Sequence, residues 1–357
     1  MDLHEFDPFR LTVLNRGGRD PEQFFPDGAG EAGGQHAPVN FHAFAACTGG
    51  SFQRQTARAA AQNTAILLLL RSDFRASQRA LAELKNRGRI VAVSLKETGL
   101  HQIAQQLRDP AKLTRFTKIV ATADACLGTT PEAADVYQAF LRSAGSKRVA
   151  FIPTPYPVGD LRWDFSRPIE QRAGIFVGTR EWEVPTRNHL AALLLAREIA
   201  EKTQEQITVF KGSGRGGAKV LAVLDFPPER LRVIDRWLSY ADYLREVGRH
   251  KIVLQLDSSF VPGQVAGDAL LCRVPCVGGN GAIDRLAFAE TCGFGRSIAE
   301  LREIALRLLR DRAHYEQIVA SSQKRAKEVC GFEVIAAQLR NFFRTLKNAQ
   351  LQSPLPS

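Results

Sequence analysis

Residues 265–280 read VAGDALLCRVPCVGGN, and a single carboxylate, Asp268, stands in this otherwise small and apolar run. The pattern predicts a short buried helix, then a strand bounded by Pro275 and closed by Gly278-Gly279. A carboxylate taken out of water is costly unless something hydrogen-bonds it. Asp268 therefore either faces a helix dipole or bonds a ligand at the mouth of an α/β sheet. A second place for chemistry is RIVAVSLKETGLHQ, where Glu97 follows a predicted parallel strand, the edge at which such sheets bind ligands. The six cysteines, at 47, 126, 272, 276, 292 and 330, include no CxxC pair and no histidine at finger spacing. Cys272 and Cys276 are four apart, but Cys276 falls in the strand after Pro275, so no metal site is expected. Reduced, buried thiols of a cytoplasmic protein are the reading.

The elements that must position these groups alternate. TAILLLL reads as a strand, FRASQRALAELKNRG as a helix, RIVAVSL as a strand and GLHQIAQQLRD as a helix. LTRFTKIVATADACLGTT runs from helix into strand, and PEAADVYQAFLRSAG opens on Pro131 and closes on Gly145, as helix boundaries do. Ahead of these, FRLTVLNRGGRD reads as a strand ending at Gly17-Gly18, and residues 27–50 as an irregular Gly/Ala-rich loop. The proline-rich stretch around 153–172 breaks the rhythm, and a second alternation follows: AGIFVGT, TRNHLAALLLAREIAEKT, ITVFKGSG, LRVIDRWLSYADYLREVGRH, KIVLQLD. Such alternation implies parallel sheets covered on both faces, a two-domain α/β protein. The expected bounds are 1–155, a linker over 156–172, a second domain over 173–331, and a helix over 332–357 crossing back to the first domain. A cleft between two such domains is the default ligand site.

Composition agrees. A chain of 357 residues suggests two cores, and 45% apolar with 24% charged residues is ordinary for a globular protein. The longest apolar run, AILLLL, suits a buried strand and is far too short to span a bilayer. The amino terminus, MDLHEFDPFR, lacks a secretory pattern. A net charge of +11 suits a phosphate-bearing ligand or an anionic membrane face. The charges are scattered and no nucleic-acid motif is present, so a nucleic-acid partner is not expected.

The order IFVGTREWEVPTRNHLAALLLAREI, VFKGSG, LRVIDRWLSYADYLREVGRHKIVLQLDSS and VPGQVAGDALLCRVPCVGG resembles the donor domain of retaining GT-B-fold glycosyltransferases. The resemblance covers about half the chain. It implies two Rossmann-like parallel-sheet domains facing across a cleft, the first on the acceptor side and the second holding a nucleotide-sugar donor. The turn Gly263-Gln264-Val265 would offer helix-terminal amides to the diphosphate. Arg180 and Arg187 flank the turn where that family places cations, and Lys211 could add a third. Asp268 matches the acidic residue that accepts from the ribose hydroxyls. Gly17 and Gly18 match a glycine pair approached by acceptor or phosphate, and His101, with Glu97, a cleft-lining catalytic position.

Two positions depart from the pattern. Phe260 stands where the family carries a second carboxylate, eight residues before Asp268, and Thr179 where an arginine is typical. The implied activity is metal- and cofactor-independent transfer of a sugar to a glycan, lipid-linked or other glycoconjugate acceptor. The implied setting is cytoplasmic, with the inner membrane face as a peripheral site. A non-catalytic glycan- or partner-binding descendant and a nucleotide-sugar 2-epimerase are the alternatives.

Overall fold

The computed structural model describes residues 9–16, 40–141, 148–179, 181–211, 215–224, 226–236 and 238–352. The chain divides into two units: residues 1–98 with 102–155 and 332–357, and residues 99–101 with 156–331.

The first unit runs β1 (Thr12–Leu14), α1 (Asn40–Cys47), β2 (Ser51–Gln53), α2 (Thr56–Gln62), β3 (Ala65–Leu70), α3 (Arg75–Asn86) and β4 (Ile90–Leu95). α4 (Leu100–Leu107), α5 (Pro110–Thr122), β5 (Ala125–Gly128), α6 (Pro131–Phe140) and β6 (Val149–Phe151) follow. Its six strands pair in the order β2-β1-β3-β4-β5-β6, all parallel. AILLLL is buried at every position, because a parallel strand is covered on both faces. Its alternate residues separate accordingly. Ile66, Leu68 and Leu70 pack with Leu81, Leu84, Phe116 and Tyr137 from α3, α5 and α6. Leu67 and Leu69 point the other way, against Phe41 and Phe44 of α1. The same face takes Ile335, Leu339, Phe343 and Leu346 from the last helix, Phe332–Gln352, which share one helical stripe. The irregular loop expected over 27–50 is therefore corrected from residue 40 onward: Asn40–Cys47 is helical because its aromatic face completes this core.

The second unit runs β7 (Ile175–Val177), α7 (His189–Thr203), β8 (Ile207–Phe210), α8 (Arg215–Leu224), β9 (Leu231–Ile234), α9 (Tyr240–Val247), β10 (Ile252–Leu254) and α10 (Gln264–Leu271). β11 (Cys276–Val277), α11 (Ala282–Ala287), α12 (Ile298–Arg310) and α13 (Arg312–Val329) complete it, and α14 is the Phe332–Gln352 helix of the first unit. Five parallel strands lie in the order β11-β10-β7-β8-β9. Ile175, Val177, Ile207, Val209, Ile252 and Leu254 form the sheet side of a core closed by α7, α12 and α13. α12 starts on a capping box, with Ser297 and Glu300 satisfying each other's backbone amides. Both units are thus α/β bodies built on wholly parallel sheets, the fold class the alternation predicts.

Candidate functional site

The functional geometry gathers at the carboxyl ends of β7, β10 and β11 in the second unit, the edge where open α/β sheets bind ligands. Gly263, at φ 92°, turns the chain from the β10 loop into α10, a conformation that glycine adopts without strain. Gly263, at the cap position, has no side chain to accept from the first-turn amides of α10. The end of β7 closes tightly on this turn. A Cβ added at Gly178 would lie 2.6 Å from Val265 Cγ1, so only glycine lets the strand approach the helix end. Gly281 brings the β11 loop against the same turn, where a Cβ would fall 2.8 Å from Gly263 Cα, while Gly278 and Gly279 close on Gln255 and Asp284. Gly263, Gln264 and Val265 are thereby presented together at the sheet edge.

Asp268 lies five residues into α10 and is fully buried. The helix-dipole effect fades beyond the first turn, and the carboxylate is held instead by a hydroxyl. Tyr240, the first residue of α9, donates its OH to Asp268 Oδ1 at 2.6 Å. Arg187 sits on the short 3₁₀ turn before α7, where its guanidinium donates to Asp257 and to Glu181. Burial alone would lower its pKa, but the Asp257 and Glu181 carboxylates outweigh that and raise it. The cation expected to meet phosphate is therefore already matched by two acids from the β10 and β7 loops. Thr179, in the position where arginine was looked for, is buried and stitches β7 to β8. Its hydroxyl donates to Phe210 O at 2.7 Å and accepts from Phe210 N at 3.1 Å. Lys211 follows β8, its N–H donating to Ile234 O at 2.8 Å and its side chain half-buried.

A second pair of carboxylates adjoins this site. Asp257 accepts from Ser259 N at 2.8 Å as well as from Arg187. Asp284, in the first turn of α11, is 1% exposed and accepts from Gln255 Nε2 at 2.8 Å. Burial, and after it the negative charge of Asp257, pushes the Asp284 carboxyl up to about 7. Neither Gln255 nor Asp284 was found by sequence reasoning. The available signal was an acid in the first helical turn after the glycine run GGNG.

The remaining expected residues fall elsewhere. Glu97 follows β4, half-buried, its carbonyl accepting from Gln106 Nε2 at 3.3 Å. His101 is in the first turn of α4, within the short segment that groups with the second unit. Gly17, Gly18 and Arg180 lie outside the described residues. Cys272 and Cys276 are buried thiols whose pKa values burial pushes well up. Among the described residues no group of three His, Cys, Asp or Glu is arranged to hold a metal, and no helix is long and apolar enough to cross a membrane.

No protein-family model matches the chain, and no curated protein matches it in sequence. Solved structures do match its fold. Anabaena HepE in complex with UDP aligns at TM-score 0.62 and 13% identity, covering 94% of this chain and 100% of that one. An alpha-glucosyltransferase in complex with UDP and a 13-mer DNA aligns at 0.61 and 9%, covering 94% and 99%. The α,α-trehalose 6-phosphate synthase of Burkholderia multivorans aligns at 0.60 and 11%, covering 83% and 76%. With two wholly parallel α/β sheets and these neighbours, the chain has the GT-B fold of glycosyltransferases.

Proposed function

We propose that the protein transfers a sugar from a nucleoside-diphosphate sugar to a glycan, lipid-linked or other glycoconjugate acceptor. One observation carries this reading. The start of α10, with glycine at its cap, lies at the carboxyl edge of a parallel sheet between Gly178 and Gly281, and a buried carboxylate follows within the helix. Amides so placed suit a diphosphate, and the charge that develops on it as it leaves is what fixed dipoles stabilise best. HepE and the alpha-glucosyltransferase, both solved with UDP, support uridine diphosphate as the carrier.

The roles follow from position. The amides after Gly263 receive phosphate oxygens, and Arg187 adds charge by trading one of its two carboxylates for phosphate. Arg180 and Lys211 supply further cations from the β7 and β8 loops, without a metal ion. A ribose hydroxyl replaces the Tyr240 hydroxyl on Asp268. Gly17, Gly18, Glu97 and His101 serve the acceptor side. No protein nucleophile takes part in the reaction. The +11 charge fits an acceptor carried on an anionic membrane face.

The test is calorimetric titration with UDP, GDP, ADP and CMP of wild type, Asp268→Asn and Tyr240→Phe. UDP should bind wild type, weaken about tenfold in Asp268→Asn (~1.4 kcal/mol, the scale of one bond to a charged group), and bind Tyr240→Phe at least as tightly. A wild type that binds no nucleotide would end this reading. Release of free UDP from a UDP-sugar in the presence of acceptor then separates transfer from binding alone.

A further inference from the structure

Phe260 stands three residues before Gly263 with φ 52°, a left-handed conformation that is a genuine outlier for a bulky side chain. Such strain persists only where surroundings impose it, and it gathers at ligand-handling sites. Here the surroundings are specific. The Phe260 N–H donates to Asn280 Oδ1 at 3.0 Å. Its ring meets Phe294 edge-on, centroids 6.3 Å apart at 76°. The Arg285 guanidinium carbon lies 5.5 Å from the Phe260 centroid and 5.3 Å from that of Phe294, so one cation holds both rings. Phe260 and Arg285 are half-buried, and Phe294 is 53% exposed.

This aromatic platform adjoins the start of α10. Arg285 Nε reaches Gly281 O at 3.5 Å, and a Cβ on Gly281 would fall 2.8 Å from Gly263 Cα. A donor's sugar hangs from the far phosphate of its diphosphate. With the diphosphate on the amides after Gly263, the sugar comes next to Phe260. A phenyl ring has nothing to hydrogen-bond a hydroxyl, but its electron-rich face attracts the polarised C–H groups of a pyranose.

We propose that Phe260, with Phe294 and Arg285, forms the surface on which the donor sugar packs its C–H face, so that the protein selects its sugar by stacking. The proposal rests on the nucleotide-sugar reading above and adds the specificity-determining residues. Strain at Phe260 then accompanies the placing of its ring beside Phe294 and Arg285.

The experiment is titration of UDP, UDP-glucose, UDP-galactose and UDP-N-acetylglucosamine into wild type, Phe260→Ala, Phe260→Tyr and Phe294→Ala. For the UDP-sugar that wild type binds best, Phe260→Ala should lose about tenfold relative to UDP, while Phe260→Tyr, which keeps the ring face, stays near wild type. Phe294→Ala, at a position 53% exposed, should show the same selective loss, about threefold. UDP affinity serves as the folding control. An unchanged UDP-sugar to UDP ratio in either alanine variant overturns the stacking proposal while leaving nucleotide binding intact. Absence of any UDP binding to wild type overturns uridine diphosphate as the carrier and, with it, the stacking proposal.

Discussion

Replacing Asp284 by asparagine should remove one pH-dependent contribution to the stability of the second unit. Asp284 is 1% exposed and shares its surroundings with the Asp257 charge, and its carboxyl titrates at about 7 in place of the ordinary value near 3.8. The folded state therefore keeps a proton that the unfolded chain gives up on passing pH 4. Between pH 4 and 7 the folded state binds more protons, so stability falls as pH rises through that window and levels off above it. About three pH units at 1.36 kcal/mol each amount to roughly 4 kcal/mol. Asparagine keeps an oxygen for Gln255 and has nothing to ionise. Asp284→Asn should thus be near neutral at pH 4 and gain about 4 kcal/mol over wild type at pH 8. The readout is favourable, since the tryptophans among the described residues, Trp163 and Trp182, belong to the second unit, so fluorescence-detected urea unfolding reports on that unit. Groups that do not interact with Asp284 contribute equally in both proteins and cancel in the difference. In an Asp257→Asn background the gain should shrink but persist, because burial, the larger cause of the shift, remains when the Asp257 charge is gone. Unfolding midpoints that move in parallel with pH for wild type and Asp284→Asn would refute the reasoning.

Two further outcomes concern the frame around the site. Gly267 of α10 packs under Tyr156, and a Cβ there would fall 1.8 Å from the ring, so Gly267→Ala should cost about 1–3 kcal/mol by overpacking, read in the same urea unfolding. Arg172 is buried and donates to Arg273 O at 2.8 Å, Cys272 O at 3.2 Å and Tyr315 OH at 2.9 Å, thereby meeting the free carbonyls at the end of α10. Arg172→Met should lower the stability of the second unit by about 2–3 kcal/mol, measured by thermal or urea denaturation, and a change below about 0.5 kcal/mol would contradict this role.

Much of the fold was legible in the sequence because the strands are fully covered. Runs such as AILLLL and IVAVSL are apolar at nearly every position, and only a parallel sheet buries both faces of a strand in that way. Four helices escaped. α1 starts at Asn40, itself at φ 48°, with no acidic residue in its first turn, and its helical state comes from packing against α14, far away in sequence. α2 is a seven-residue Ala-rich turn, and α11 has six residues. α8 opens on Gly216-Gly217, which reads as a turn. In the structure those glycines make room for Glu183 and Trp182, where a Cβ would fall 2.6 and 2.8 Å from their side chains.

The site was legible only where one residue betrayed itself. Asp268 stood out as a lone carboxylate, but its partner Tyr240 lies 28 residues upstream on another helix. Asp284 and Gln255 are 29 apart and meet because β10 pairs with β11, a topological fact that local pattern does not carry. Arg187 is expected to meet a diphosphate, yet its charge is shared between Glu181 and Asp257, because the loops after β7 and β10 converge on it. The left-handed backbone of Phe260 leaves no trace in residue type, since a phenylalanine is the last residue expected there.

The most direct measurement is amide hydrogen exchange with and without saturating UDP. Slowed exchange concentrated in residues 263–268, with lesser protection at 177–179, is the predicted footprint, since those amides would bond the phosphates or lie beneath them. UDP that binds while these segments exchange as fast as in the free protein would place the nucleotide elsewhere and contradict the account.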